Sequence, residues 1–331
     1  MTRTFQALQT HKTDDGYTSE VVERRIGDLP EGDVLIRVEW SSLNYKDALS
    51  ATGNPGVTRN YPHTTGIDAA GEVVEASNGP FRAGDKVIVT GFDLGMDTDG
   101  GHAQYIRVPA EWVVEMPDGL DTRTAMLYGT AGLTAALCIE SLLDIVGDTE
   151  GGPVLVTGAT GGVGSMTVAI LAHLGVHVVA GTGKDDAHDW LRELGAAEVI
   201  SRTELEEGVK KPLLKQRWAG VIDSVGGDIL FNALKSLEYG GTAVCCGLAG
   251  SPELHGTVFP FILRNVNLIG VDSVEIPVEF KQQMWQLLAD DWRPDCLDQL
   301  SSGEVGLAEL PGHFERILAG QVRGRVLVGT G

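Results

Sequence analysis

The chain has 331 residues, 43% hydrophobic and 21% charged, which excludes a disordered or fibrous protein and allows about two domains. Its 46 acidic residues against 25 basic ones give a net charge of −21. That field repels nucleic acid and anionic membranes, and a polyanionic ligand would need a local cluster of cations or backbone N–H groups.

The first 125 or so residues read as β-rich. Short apolar runs bounded by turn signals follow one another: VLIRVEW from Val34, GEVVEAS from Gly71, DKVIVTG from Asp85, and AQYIRVPAEWVVEMP from Ala103. This spacing predicts a barrel or sandwich. Near Thr122 the apolar spacing turns helical, with Gly129 and Gly132 inside the helix. Strands and helices then alternate: PVLVTG, a helix ended by Gly175, VHVVAGTG, the helix DDAHDWLRELG, then EVIS, GVIDSV, GTAVCCG and NLIGVDS with helices in the gaps. Alternation over roughly 140 residues predicts a parallel doubly wound sheet. FKQQMWQLLADDW reads as an amphipathic helix and RVLVG as a closing strand. No apolar run reaches the length of a membrane span, and no basic stretch followed by an apolar one marks a secretory signal, so the expected place is the cytoplasm. The four cysteines lack paired or metal spacing and read as small buried thiols in a reducing compartment. Only nine of the basic residues are Lys. That points to a salt-adapted surface, with ordinary acidic drift as the other reading.

The strongest local signal begins at Pro153. An apolar strand runs into Gly158-Ala159-Thr160-Gly161-Gly162-Val163-Gly164, and a helix follows. This is the dinucleotide fingerprint with Ala159, Gly161 and Gly164 at its three small positions. Gly161 lets the backbone approach a pyrophosphate, Gly164 lets helix and strand pack closely, and the helix N-terminus supplies unpaired N–H groups. A tight strand-to-helix turn with no ligand is the plainer alternative.

An NAD site wants an acid at the end of the second strand. Here Thr182, Gly183 and Lys184 stand there, with Arg202 just past the third strand. A hydroxyl, a bare glycine and two cations suit a 2′-phosphate, so NADPH is expected. Asp185 and Asp186 are the contrary evidence, and are expected to cap the following helix.

SSLNYKDAL, then PHTTGIDAAGEVV from Pro62, then FRAGDKVIV, then the parallel-sheet region, resemble the medium-chain dehydrogenase/reductase superfamily over essentially the whole chain. The resemblance implies a GroES-like catalytic domain over residues 1–125, completed by about 291–331, and a Rossmann NADPH-binding domain over 126–290. Zinc alcohol dehydrogenases of that family carry Cys where Asn44 stands and His-Glu where Ile67-Asp68 stands, and they add a lobe of four closely spaced Cys. None of these is present, so the chain resembles the zinc-free, quinone-oxidoreductase-like side, and no metal is expected. GTAGLTAALC, TGATGGVGS, YGG…CGLAG, PFILRNVNLIGVDSV and GRVLVG, with the motifs above, narrow the resemblance to the acrylyl-CoA reductase branch of YhdH/AcuI type. Two local departures are Thr182-Gly183-Lys184 for a Ser-Gly-Arg pattern and Ser224 for a Thr.

Carried over residue by residue, the resemblance implies an NADPH site of Tyr45, Thr160, Gly161, Gly162, Val163, Thr182, Gly183, Lys184, Ser224, Leu268 and Arg325, with Gln282 as a further candidate. The plainer readings are a half-buried barrel tyrosine for Tyr45, a core residue for Leu268, a solvated helix face for Gln282 and a surface ion pair for Arg325. The implied reaction is hydride addition to the β-carbon of acryloyl-CoA, giving propionyl-CoA, with Asn44 and Tyr45 as catalytic donors to the thioester oxygen. Arg59 and Arg264 could meet CoA phosphates or be ordinary surface arginines. The alternatives are an NADPH:quinone or enone oxidoreductase and a non-catalytic NADPH-binding protein. VNLIGVDSV, residues 266–274, would be an unguarded edge strand that pairs two copies into a homodimer.

Overall fold

The computed structural model describes residues 3–146 and 152–331. They form two compact units, one of Met1–Thr130, Ser273–Asp290 and Ser301–Gly331, the other of Ala131–Asp272 and Asp291–Leu300.

The first unit opens with β1 (Thr4–Thr13) and β2 (Gly16–Arg25), an antiparallel hairpin. There follow β3 (Val34–Ser42), α1 (Tyr45–Ala51), β4 (His63–Thr64), β5 (Asp68–Ala76), β6 (Lys86–Thr90), β7 (Tyr105–Val108) and β8 (Val113–Glu115). The long helix α2 (Thr122–Val146) leads into the second unit. That unit contains β9 (Val154–Val156), α3 (Gly162–His173), β10 (Val178–Thr182), α4 (His188–Glu193), β11 (Glu198–Ser201), α5 (Arg202–Glu206), β12 (Trp218–Asp223), α6 (Gly227–Lys235), β13 (Leu237–Cys245), α7 (Phe259–Arg264) and β14 (Asn267–Gly270). The chain returns to the first unit with α8 (Val278–Ala289), β15 (Ser301–Gly306), α9 (Leu310–Leu318) and β16 (Arg325–Gly329).

In the first unit a sheet runs β15-β16-β3-β5-β6-β8, with β7 on β3 and a separate β2-β1-β4 sheet. Alternate residues of β3 (Val34, Ile36, Val38) are buried with Val73, Val87, Val89 and Ile106, as the period-2 pattern requires. The hairpin β1–β2 was not singled out by the sequence reading, because β2 (GYTSEVVERR) alternates polar with only weakly apolar residues and is largely exposed. Pairing β16 antiparallel to β3, with Leu327 opposite Ser42, sets the returning tail beside the start of α1.

In the second unit six parallel strands run β11-β10-β9-β12-β13-β14. In strand sequence this is 3-2-1-4-5-6, the doubly wound order in which ligands bind at the carboxyl ends of the strands. Leu155, Val179, Val221, Leu234 and Ala243 form part of its core.

Five expectations are corrected. The units divide at Thr130 rather than residue 125, and α8 belongs to the first unit rather than the second. Its Lys281 ammonium donates to the Thr90 and Val274 carbonyls, and Trp285 packs edge-on against Tyr128. The edge strand is Asn267–Gly270, shorter than 266–274, because residues from Ser273 onward join the first unit. Thr122–Ile145 is long and apolar enough to span a membrane, where no such segment was expected; yet 72% of its apolar window is buried, so it serves as core. Asp185 and Asp186 make no side-chain cap; they occupy the first turn of a 3-10 helix, where the helix dipole favours their charge.

Candidate active site

On the first unit the site is built around the start of α1. Asn44 precedes the helix, and the Asp47 carboxylate accepts its backbone N–H at 2.7 Å and that of Ile67 at 2.9 Å. Asp47 thereby does the capping and leaves the Asn44 side chain for other partners. Asn44 Nδ2 donates to Asp68 Oδ2 at 2.8 Å, and Asn44 Oδ1 accepts from Arg325 Nη1 at 3.1 Å. Asp68 also receives the Ser42 hydroxyl (2.5 Å), the Thr130 hydroxyl (2.5 Å) and the Thr130 N–H (3.0 and 3.1 Å). Arg325 donates further to Ser42 Oγ (2.7 Å) and to the carbonyls of Leu43 and Leu127 (3.2 Å each), and lies 3.6 Å from Asp68. Burial lowers the pKa of the Arg325 guanidinium, against the opposing pull of Asp68 and Asp47.

Next to this network α2 breaks at Gly129, with φ 51° and ψ −157°. A Cβ there would come within 2.4 Å of Asp68 Oδ2 and 2.6 Å of Arg325 Nη2. Only glycine accepts both that backbone and that approach. Tyr45, by contrast, is 45% exposed, and no residue described bonds its hydroxyl. It is a surface group rather than the half-buried barrel tyrosine of the plainer reading.

Behind α1 lie two fully buried titratable groups. Burial and then the nearby Asp68 push the Asp47 carboxyl up to about 7. Burial pushes His102 down to about 4; its ring bonds Thr65 Oγ1 at 2.8 Å and the Ser42 carbonyl at 3.3 Å.

On the second unit the Gly-rich loop joins β9 to α3. A Cβ on Gly164 would lie 2.3 Å from the Gly158 carbonyl, so the close approach read from the sequence is enforced there. Gly161 caps α3 without a side chain, and the first N–H groups of the helix have no partner within it. Thr182 is buried at the end of β10, and its hydroxyl accepts the Lys184 N–H at 3.1 Å. The Arg202 guanidinium lies against Gly183, where a Cβ would come within 2.1 Å of its Nη2. The Arg202 guanidinium thus lies beside the Thr182–Gly183 turn, and the Lys184 backbone belongs to that turn. Ser224 lies beside the same loop, its hydroxyl donating to the Thr157 carbonyl at 3.2 Å.

Other residues go elsewhere. Leu268 packs against the core of the second unit, and the Gln282 amide donates to the Glu115 carbonyl at 3.1 Å. Arg325 is buried with its donors turned onto Asn44, Ser42 and backbone carbonyls, so it is not the surface ion pair of the plainer reading. Arg264 spends its guanidinium on the carbonyls of Leu214, Lys235 and Leu237. Asp68, Ser42 and Thr130 were missed. The available signal was a charged residue inside the apolar run GIDAAGEVV, an arrangement that needs a buried partner. Among the described residues no three His, Cys, Asp or Glu side chains converge as a metal site.

Residues 30–118 match the alcohol dehydrogenase GroES-like domain family, and residues 162–290 match the zinc-binding dehydrogenase family. The chain is 45% identical over 327 residues to acrylyl-CoA reductase AcuI of Ruegeria pomeroyi, covering 98% of both. It belongs to the medium-chain dehydrogenase/reductase family, in the YhdH/AcuI branch. Escherichia coli K-12 YhdH, solved with bound NADPH, is 46% identical with a TM-score of 0.95, covering 98% of this chain and all of that one. Bacillus subtilis yhfP, solved with NAD bound, is 44% identical with a TM-score of 0.96, covering 99% and 100%. Within that branch, Asn44 and Ile67 supply no zinc ligand, which fits a zinc-independent member.

Proposed function

We propose that this protein is an NADPH-dependent reductase of the C=C bond of acryloyl-CoA, yielding propionyl-CoA. One observation supports the cofactor half: the Arg202 guanidinium lies against Gly183 beside Thr182 at the end of β10, where a 2′-phosphate needs a hydroxyl and cations, and Lys184 follows in the chain. The first turn of α3, from Gly162, holds the pyrophosphate on N–H groups that have no partner within the helix. Bound NADPH supplies a hydride to the β-carbon. The thioester polarises that carbon without a metal, charge then gathers on the carbonyl oxygen as an enolate, and a proton from water or the Tyr45 hydroxyl to the α-carbon completes propionyl-CoA. Asn44 and Tyr45 donate to the carbonyl oxygen, and such preorganised donors lower the barrier without reorganising. The sequence relation to the R. pomeroyi enzyme supports the choice of acyl-CoA.

The second reading is reduction of a quinone or enone, favoured by the quinone oxidoreductase name of a B. subtilis relative 44% identical over 328 residues. The deciding experiment follows NADPH loss against acryloyl-CoA, a free enone and a quinone. Rapid loss with acryloyl-CoA alone supports the first reading. Loss with quinone and not acryloyl-CoA overturns it.

The working form is a homodimer in the cytoplasm. β14 is an outer strand of its sheet, and Val258, Phe259, Ile262 and Leu263 on and beside α7 are exposed apolar residues of the same unit. A second copy would cover both.

A further inference from the structure

We propose that Asp68 and Arg325 are positioning residues that lock the Asn44 amide in one orientation, the one that turns its NH2 rather than its carbonyl toward the acids and the substrate oxygen. The inference rests on the reading above only for the identity of that oxygen.

Asn44 stands between opposite charges: a guanidinium 3.1 Å from Oδ1 and a carboxylate 2.8 Å from Nδ2. A flipped amide would turn its NH2 on the guanidinium and its carbonyl on the carboxylate, losing two charge-assisted bonds and gaining two repulsions. Nδ2 has Asp68 Oδ2 at 2.8 Å and Ser42 Oγ at 3.4 Å, and the Asn44 side chain also bonds the Asp47 carboxyl. Asp68 Oδ2 and Ser42 Oγ are themselves bonded at 2.5 Å, so they lie on one side of Nδ2 and share one N–H.

The rest of the network is closed. Arg325 spends its donors on Leu127, Leu43, Asn44 and Ser42, with Asp68 at 3.6 Å. Four of its five N–H groups are so engaged and the side chain is 3% exposed, so the geometry moves Arg325 from a cofactor contact to a support behind Asn44. Asp68 is held by Ser42 and by both donors of Thr130. Asp68 is 0%, Arg325 3% and Asn44 8% exposed, so Asn44 is the member of this trio that opens to solvent. A buried ion pair is a poor way to gain stability, and one clasping a single amide has a use in orientation.

The test is a double-mutant cycle in the full-length protein with Asp68→Asn, Arg325→Lys and Asn44→Ala, reading kcat, KM and NADPH affinity. The first two should lower kcat by about 10–100-fold and leave the NADPH dissociation constant within about twofold. In the Asn44→Ala background neither should cost more than about twofold further, because residues acting as a unit are not additive. Ser42→Ala leaves both charges in place and should cost about threefold; it keeps the test alive if the charge variants fail to fold. A readout independent of turnover is the Asn44 side-chain amide resonance, assigned by its loss in Asn44→Ala. It should show two separated protons, one exchanging slowly with water, and Arg325→Lys should shift it. Equal losses of kcat in both backgrounds overturn the proposal, as does loss of NADPH affinity in Arg325→Lys. A parent protein that ignores acryloyl-CoA but reduces an enone overturns the substrate reading alone, and the cycle is then read on the enone.

Discussion

Asp47 and His102 face one another 3.9 Å apart with no solvent exposure on either side chain. Their proton affinities are displaced in opposite directions, Asp47 from 3.8 to about 7 and His102 from 6.5 to about 4. Between about pH 4 and 6.5 the folded protein holds a proton on Asp47 that the unfolded chain has lost. The unfolded chain holds one on His102 that the fold excludes. The two linkages oppose, each near 1.4 kcal/mol per pH unit, and largely cancel. Removing one partner should expose the other. His102→Gln should become more stable as pH falls from 7 to 4, and Asp47→Asn less stable as pH falls from 6.5 to 4. Urea midpoints across that range check both, and flat profiles in both variants would contradict the assignment.

Tyr45 presents an unengaged hydroxyl at the start of α1. Tyr45→Phe should reduce turnover by about 10²–10³ if that hydroxyl meets the developing oxyanion, with NADPH affinity nearly unchanged. Steady-state kinetics and fluorescence titration measure the two effects. Parent-level turnover would remove Tyr45 from the chemistry.

Gly164→Ala places a Cβ 2.3 Å from the Gly158 carbonyl. The helix must back away from β9, at a cost of about 1–3 kcal/mol. The same shift draws its N–H groups from the pyrophosphate. Thermal melts with and without NADPH should show a lowered melting temperature and a smaller stabilisation by the cofactor.

Lys184→Ala and Arg202→Ala should each raise the NADPH dissociation constant by about tenfold or more, since a charge-assisted phosphate contact contributes roughly 1.5–3 kcal/mol. NADH affinity should hardly move. Equal effects on both cofactors would mean that neither cation meets the 2′-phosphate.

Ile262→Glu puts a charge on the apolar patch of α7, where Ile262 is 67% exposed. Light scattering should report a dimer for the parent and a monomer for the variant at micromolar concentration. A monomeric parent would sink the assembly reading.

The doubly wound sheet was legible because a period of 2 and a period of 3.6 alternate there, and because Gly164 has a local backbone reason to be glycine. Lys184 and Arg202 stand just past β10 and β11, strands that pair in parallel, which is why the sequence offers them together. The Asn44 network was not. Its members come from positions 42, 44, 68, 130 and 325, and no local pattern links residues so far apart. Leu268 and Gln282 show the reverse. Their place in recognisable motifs drew them into the site, while packing and a backbone carbonyl hold them elsewhere. The placement of α8 also depended on tertiary contacts, because nothing in an amphipathic stripe says which core it will cover.

The tail strand β16 has a consequence for synthesis. The chain is made from its N-terminus, and domains fold as units as they emerge. All six strands of the nucleotide-binding sheet have left the ribosome once residue 270 is out. The Asp68 carboxylate must then wait some fifty-five further residues for its counter-ion at position 325. At translation rates of about 5–20 residues per second, that is a delay of several seconds. During it the network around Asn44 holds an uncompensated acid, which disfavours its burial until β16 pairs with β3. A nascent chain can therefore complete the scaffold for its coenzyme while the apparatus for reduction is still unassembled.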